Sequence, residues 1–277
     1  MKQQIVRPST VAGTFYPGKE LELNKTLQDL FKKAAPPKSK GSVLALISPH
    51  AGYFYSGLTA AHGYKLLKGQ QYDCVVIVAP SHREYFSGIS VYNGEGYQTP
   101  LGMFPVDEKL RFELLSKSEH IEVSPRGHGA EHAIEVQLPF LHAMLGNIKI
   151  LPIVMGDQTP ELCFELGDAL AETIAGKHCL LIASTDLSHY YPYATAQKID
   201  ARAIEDIEQF DYTKLMEDLQ SNYVEACGGG PTVAVLSAAQ QLGATKVQIL
   251  HSCNSGDITG DKDEVVGYLS AAVLRAN

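Results

Sequence analysis

Short apolar runs rich in β-branched residues alternate along this chain with segments whose apolar residues return every three or four positions. The first helical period covers residues 19–35, with Leu21, Leu23, Leu27, Leu30 and Phe31. Pro36-Pro37-Lys38-Ser39-Lys40-Gly41 then breaks it and reads as a linker inside the domain. Beyond it the pattern predicts strands over 43–48, 74–79, 148–155, 179–184, 245–251 and 265–274, with a hairpin-like stretch over 88–103. Helices are predicted over 57–68, 107–118, 131–145, 160–174, 194–209 and 231–242. Continuous apolar strands separated by helices predict an α/β fold, with a largely parallel central sheet and helices on both faces.

Composition narrows the classes of function. A chain of 277 residues with 45% hydrophobic and 19% charged residues has enough apolar material for a large core, which excludes intrinsic disorder and predicts one domain over 1–277. Thirty-one acidic residues against 23 Lys plus Arg give a net charge of -8, so the overall field disfavours direct nucleic-acid or anionic-membrane binding. No apolar run approaches the roughly 20 residues needed to span a bilayer, and Met1-Lys-Gln-Gln begins nothing like a signal peptide, so a cytoplasmic protein is expected. The five cysteines are scattered, odd in number and without a C-x-x-C pair, which predicts reduced thiols.

The candidate chemistry lies just past the strands. Leu44-Ala-Leu-Ile-Ser-Pro runs into His50, and Val75-Val-Ile-Val-Ala-Pro-Ser into His82. Leu180-Leu-Ile-Ala-Ser-Thr leads to Asp186-Leu-Ser-His189, and Val247-Gln-Ile-Leu to His251-Ser-Cys253 and then Asp257. Open α/β sheets gather ligands outside the carboxyl ends of their strands, and imidazole with carboxylate suits Fe, Zn, Cu or Mn. Taken singly, His50 and His82 also read as hydrogen-bonded structural histidines, Asp186 as a helix N-cap and Asp257 as a turn residue. His132 and Glu135 are an i, i+3 pair that can face one pocket, or else Glu131 and Glu135 favour a helix start and His132 is a surface residue. Cys227-Gly-Gly-Gly-Pro231 precedes an apolar helix whose N–H groups can receive an anion, but it lacks the G-K-[ST] ending of a P-loop. Aromatic residues follow His50 (Tyr53, Phe54, Tyr55) and His189 (Tyr190, Tyr191, Tyr193), as a pocket wall or as packing. Tyr53, Glu135, Cys227 and Tyr190 are the candidate substrate-binding residues.

Ser48-Pro-His50-Ala-Gly-Tyr53, Ala79-Pro-Ser-His82, Glu131-His132-Ala-Ile-Glu135-Val-Gln137-Leu-Pro-Phe140, Ser184-Thr-Asp186-Leu-Ser-His189 and Val266-Gly-Tyr268 together resemble the Memo family. In prokaryotes this family is called AmmeMemoRadiSam system protein B. Arg7-Pro-Ser-Thr-Val-Ala-Gly13-Thr-Phe-Tyr-Pro17 resembles its N-terminal signature, so the likeness covers nearly the whole chain. The resemblance implies a fold similar to the class III extradiol (LigB-like) dioxygenases, which cleave catechols with non-haem Fe(II). By that resemblance His50 and His82 match two metal ligands, while His132, His189 and Asp186 are catalytic candidates, with His189 doing acid/base work beside Asp186. Eukaryotic Memo proteins carry a cysteine near the domain end. Register counted back from Val266-Gly-Tyr268 sets Asp257 or Ile258 opposite it, making Asp257 the expected third ligand and Cys253 the alternative.

The expected function is a non-haem Fe(II) redox or dioxygenase-like enzyme acting on a small aromatic, with Zn, Cu or Mn as other metals. A metal-assisted hydrolase and a non-catalytic peptide-binding module are the alternatives. The family name further implies AMMECR1-type and radical SAM proteins as partners.

Overall fold

In the strands at the centre of this protein, alternate residues enter two different cores, which is why each run reads as continuously apolar. Leu46, Val75, Ile77, Leu180 and Ile182 belong to one buried cluster, and their neighbours Ala45, Ile47, Val76, Val78, Leu181 and Ala183 to the other. The computed structural model describes residues 5–38 and 41–276; Met1-Lys-Gln-Gln and Ser39-Lys40 of the expected linker lie outside the described residues.

The first half of the chain runs β1 (Val6–Arg7), α1 (Glu20–Lys33), β2 (Ser42–Ser48), α2 (Tyr53–Lys65), β3 (Cys74–Pro80), β4 (Ile89–Tyr92), β5 (Gly96–Thr99), β6 (Gly102–Pro105), α3 (Glu108–Leu115) and β7 (Ile121–Ser124). A 3-10 turn (Glu135–Gln137) leads into α4 (Leu138–Leu145), β8 (Lys149–Met155), α5 (Pro160–Ile174), β9 (Cys179–Ser184), β10 (His189–Tyr191) and α6 (Tyr193–Glu208). The chain closes with α7 (Tyr212–Gln220), α8 (Gly229–Gln241), β11 (Lys246–Asn254), α9 (Ser255–Thr259) and β12 (Val265–Arg275).

The large sheet has the order β10-β12-β2-β9-β3-β8-β4-β7, with β11 also paired to β12. Its centre, β2-β9-β3-β8, is parallel. Antiparallel pairs lie outside that centre, β12 against β2, β10 and β11 on one side and β4 against β8 on the other. One buried cluster takes in residues of α1, α2 and α4, and the other residues of α3, α5, α6, α7 and α8, so helices cover both faces of a mixed α/β sheet. Among the described residues no helix is long and apolar enough to cross a membrane.

Three local differences from the sequence reading have physical causes. The stretch 88–103 divides between two sheets: β4 joins the large one, while β5 and β6 form a hairpin that pairs with β1. The helix expected over 131–145 becomes a 3-10 turn followed by α4, with Pro139 in its first turn, where a missing N–H costs nothing. Residues 131–134 are not helical because the Glu131 carboxylate takes the backbone N–H groups of His132 and Ala133. Helix α7, which sequence periodicity did not single out, is capped by Asp211, whose side chain accepts from Lys214 N.

Candidate metal centre

Strand register sets the site. Ser48 of β2 lies opposite Ser184 of β9, so His50 and Asp186, each two residues further on, emerge side by side. The Asp186 carboxylate accepts the backbone N–H of His50 at 2.8 Å. Strand β3, on the far side of β9, delivers His82 to the same edge. His132 enters from the segment before α4. Donor atoms of His50, His82 and His132 all lie within 4.8 Å of one another, which makes this a group able to hold a metal ion. The ring centroids stand 5.0 Å (His50–His82), 5.3 Å (His50–His132) and 4.8 Å (His82–His132) apart.

A relay of buried hydrogen bonds sets the His50 tautomer. Tyr64 Oη donates to Gln137 Oε1 at 2.7 Å, which orients the amide so that Gln137 Nε2 donates to Pro49 O (3.1 Å) and Ser184 Oγ (2.8 Å). Ser184 spends its own proton on Ala133 O, at 2.7 Å. The serine oxygen therefore has only a lone pair to offer His50 Nδ1, 2.9 Å away. His50 carries its proton on Nδ1, and Nε2 is left as a lone-pair donor. Glu131 does the same for His82, with its Oε1 3.0 Å from Nδ1.

Burial first, and then the neighbouring His82, push the His50 imidazole down to about 3. His132 falls to about 4 through burial and then His50. Both are neutral at ordinary pH, the form that binds metal. His132 Nδ1 is buried without a hydrogen-bond partner; Glu131 Oε1 stands 3.2 Å away but outside hydrogen-bonding geometry. Three converging imidazoles, two of them with Nε2 preset as a lone-pair donor, are a donor set that a transition metal satisfies.

Around this centre lie the other groups that can move protons. Burial raises the Asp186 carboxyl, the direction expected of a proton-transfer group. Its Oδ2 is 4.0 Å from His50 Nε2. His189, on β10, is within electrostatic reach of both His50 and Asp186, and Glu225 orients it by accepting its backbone N–H at 3.2 Å and lying 3.7 Å from Nδ1. Cys227 Sγ is 3.1 Å from His50 Nε2. The glycines after Cys227 make this approach feasible, since a Cβ on Gly228 would lie 2.2 Å from Ser184 O. Burial, then Asp186, raises the Cys227 thiol, so it stays protonated.

Several expectations need correcting. Asp257 is not part of the imidazole group: it closes a capping box with Asn254 at the start of α9 and accepts from Tyr193 Oη at 2.6 Å. Cys253 lies instead 3.2 Å from Thr59 Oγ1. Glu135 faces the N-terminal segment: it pairs with Arg7 at 2.6 Å and accepts from Tyr16 Oη at 2.6 Å. Tyr53 is buried against Phe140, with its hydroxyl donated to Val136 O at 2.8 Å. Tyr190 is 68% exposed and holds a left-handed backbone at φ 61°. The N–H groups that begin α8 already have protein acceptors, Gly228 on Thr185 Oγ1 and Gly230 on Gln158 Oε1, so they leave no anion site.

Sequence reasoning passed over Glu131, Ser184, Gln137 and Glu225 as site residues. Glu131 had a signal, its position next to His132. The others are ordinary polar residues in the sequence, and only the fold brings them to the imidazoles.

The profile of the family described as Memo-like protein matches residues 7–272. A MEMO1 family protein of Saccharolobus solfataricus is 40% identical over 279 residues, covering 96% of this chain and 98% of that protein. MEMO1 family proteins of Methanosarcina mazei (40% over 271 residues; 97% and 99% covered) and Nitrosopumilus maritimus (35% over 269 residues; 95% and 98%) are similar over the same extent. Among solved structures, an uncharacterized protein of Escherichia coli K12 shares the fold, with a TM-score of 0.53 at 18% identity, covering 84% of this chain and all of that one. Matched from its N-terminal segment into its last strand, the chain belongs to the Memo family.

Proposed function

We propose that this protein is a metal-dependent enzyme of redox, dioxygenase-like type, in which His50, His82 and His132 hold Fe(II) and the substrate is a small aromatic molecule. The observation that carries this reading is the convergence of three imidazoles, two with their protons fixed away from the centre and the third with an orphaned nitrogen. Three protein ligands leave open positions, the mark of a catalytic and not a structural metal. Bound iron would supply the site for dioxygen and for the oxygens of a catechol-like substrate. Asp186 and His189 stand beside His50 to take and return the substrate's proton. Exposed Phe54 and Tyr55 offer faces on which an aromatic ring can stack. A cytoplasmic setting and AMMECR1-type and radical SAM partners belong to the same proposal.

The all-imidazole donor set also favours a second reading, a zinc hydrolase in which the metal acidifies a water. Elemental analysis of protein purified without oxygen or chelator, beside a His50→Ala/His82→Ala variant, separates these. Iron near one per chain that is absent from the variant, with oxygen uptake on catechols, supports the first reading. Zinc with ester hydrolysis and no oxygen uptake supports the second. No metal in the parent, even after reconstitution with either ion, overturns both and leaves the peptide-binding module.

A further inference from the structure

Asp186, Leu187 and Ser188 lie outside regular secondary structure, yet their segment carries both Asp186 and His189 to the metal pocket. Two backbone bonds tie it to β12: Leu187 N donates to Gly267 O at 2.8 Å, and Gly267 N donates to Ser188 O at 2.9 Å. A third tie comes from α6, where Asp200 Oδ1 accepts the backbone N–H of Ser188 at 3.0 Å. Ser188 Oγ is buried on the same side, and the backbone bond is the link whose geometry is well formed. Gly267 is what admits the carboxylate, because a Cβ there would stand 2.0 Å from Asp200 Oδ2.

Asp200 is a costly residue for its place. It is 8% exposed, and among the described residues no cation pairs with it; nearby Arg202 pairs with Asp218. His189 and Glu225 act on it electrostatically. It borders a cavity of about 220 Å³ shared with Leu187, Gln197, Cys253, Asn254, Asp257 and Tyr268. A buried carboxylate without a cation lowers stability relative to an apolar residue, so its place here is not explained by packing alone.

We propose that Asp200 is a positioning residue: its hydrogen bond to Ser188 N fixes the Asp186–His189 segment and so sets where the His189 imidazole stands beside His50. It touches neither the imidazole group nor a substrate. The inference rests on the metal-centre reading only for its ligand-binding arm.

The test compares Asp200→Ala with Asp200→Asn, whose Oδ1 can still accept from Ser188 N. Zinc-loaded protein with labelled histidines allows the His189 ring resonances to be followed, assigned through a His189→Gln variant, while 4-nitrocatechol serves as the ligand probe. Asp200→Ala is expected to keep its zinc, shift the His189 resonances and weaken the probe about tenfold, the size of one lost hydrogen bond. Asp200→Asn is expected to restore both. Should Asp200→Ala not fold, Asp200→Leu fills the space without accepting a hydrogen bond and makes the same comparison. Unchanged His189 resonances and probe affinity overturn the proposal. So does an Asn variant as defective as Ala, or loss of zinc in Asp200→Ala, which marks a general prop. If the parent takes up no zinc, the metal reading fails, and the His189 resonances of the metal-free protein still decide the role of Asp200.

Discussion

Glu131 holds His82 at two points, one carboxylate oxygen accepting the His82 backbone N–H at 2.6 Å and the other lying 3.0 Å from ring Nδ1. The same Oε1 accepts the backbone N–H groups of His132 (2.8 Å) and Ala133 (2.9 Å), so one carboxylate sets two of the three imidazoles. Burial works to raise the Glu131 carboxyl, but hydrogen bonds and charge from His82 outweigh it and hold the group down at about 2. It is ionised at ordinary pH. Glu131→Gln should therefore weaken metal binding by about 10- to 100-fold, as loss of an outer partner of a ligating histidine does. Competition against a chelator of known affinity measures this, and an unchanged dissociation constant would remove Glu131 from the site.

His132 and Asp257 make opposite predictions as third ligand. His132→Ala should weaken metal binding by more than the roughly 100-fold expected of an outer partner. Asp257→Ala should keep its metal and lose about 1 kcal/mol of stability with the capping box. Metal titration of both variants beside urea unfolding decides the matter. Metal loss in Asp257→Ala alone would restore the two-histidine, one-carboxylate reading.

The strand-then-histidine pattern made one edge of the site legible, because a parallel strand points its exit at the ligand-binding end whatever the rest of the chain does. His50, His82, Asp186 and His189, all singled out by that pattern, lie together at this edge. The third imidazole was harder, since His132 follows no strand and its approach depends on Glu131 refusing the helix that periodicity predicted. Asp257 misled because an Asp beside Gly reads alike as ligand, turn or cap, and only Asn254 and Tyr193 in space decide for the cap. The antiparallel flanks of the sheet were equally hidden: β12 has the same apolar character as β2, and direction is set by the connections between strands.

Acid should destabilise the metal-free protein well above the range where carboxylates titrate. His128 is fully buried, accepts from Tyr97 Oη through Nδ1 (2.6 Å) and donates from Nε2 to Ser90 O (3.2 Å). Burial pushes its pKa down to about 3, against the ordinary 6.5 of an unfolded chain. Between these values the unfolded state binds a proton that the folded state does not. Stability is then complete above pH 6.5 and falls by up to about 1.4 kcal/mol per pH unit as pH drops toward 3. His128→Gln should be less stable at pH 7.5 but show a shallower decline between pH 6.5 and 4.5. Urea midpoints across that range check it, and parallel slopes for parent and variant would refute the assignment.

Glu135 should prove to be a fold residue and not a substrate residue. Its side chain is fully buried, opposite an Arg7 side chain that is 2% exposed. It also accepts from Thr10 N (2.9 Å), Val11 N (3.1 Å) and Tyr16 Oη, pinning the N-terminal segment whose Phe15 ring lies 4.7 Å from His132. Glu135→Ala strands the Arg7 charge and these donors, a loss of about 3–5 kcal/mol. The double variant Arg7→Met/Glu135→Leu removes the charge with its partner and should recover part of that loss in urea unfolding. A Glu135→Ala protein as stable as its parent but unable to bind a catechol probe would return Glu135 to the pocket, and the N-terminal segment would then need some other anchor to hold Phe15 against His132.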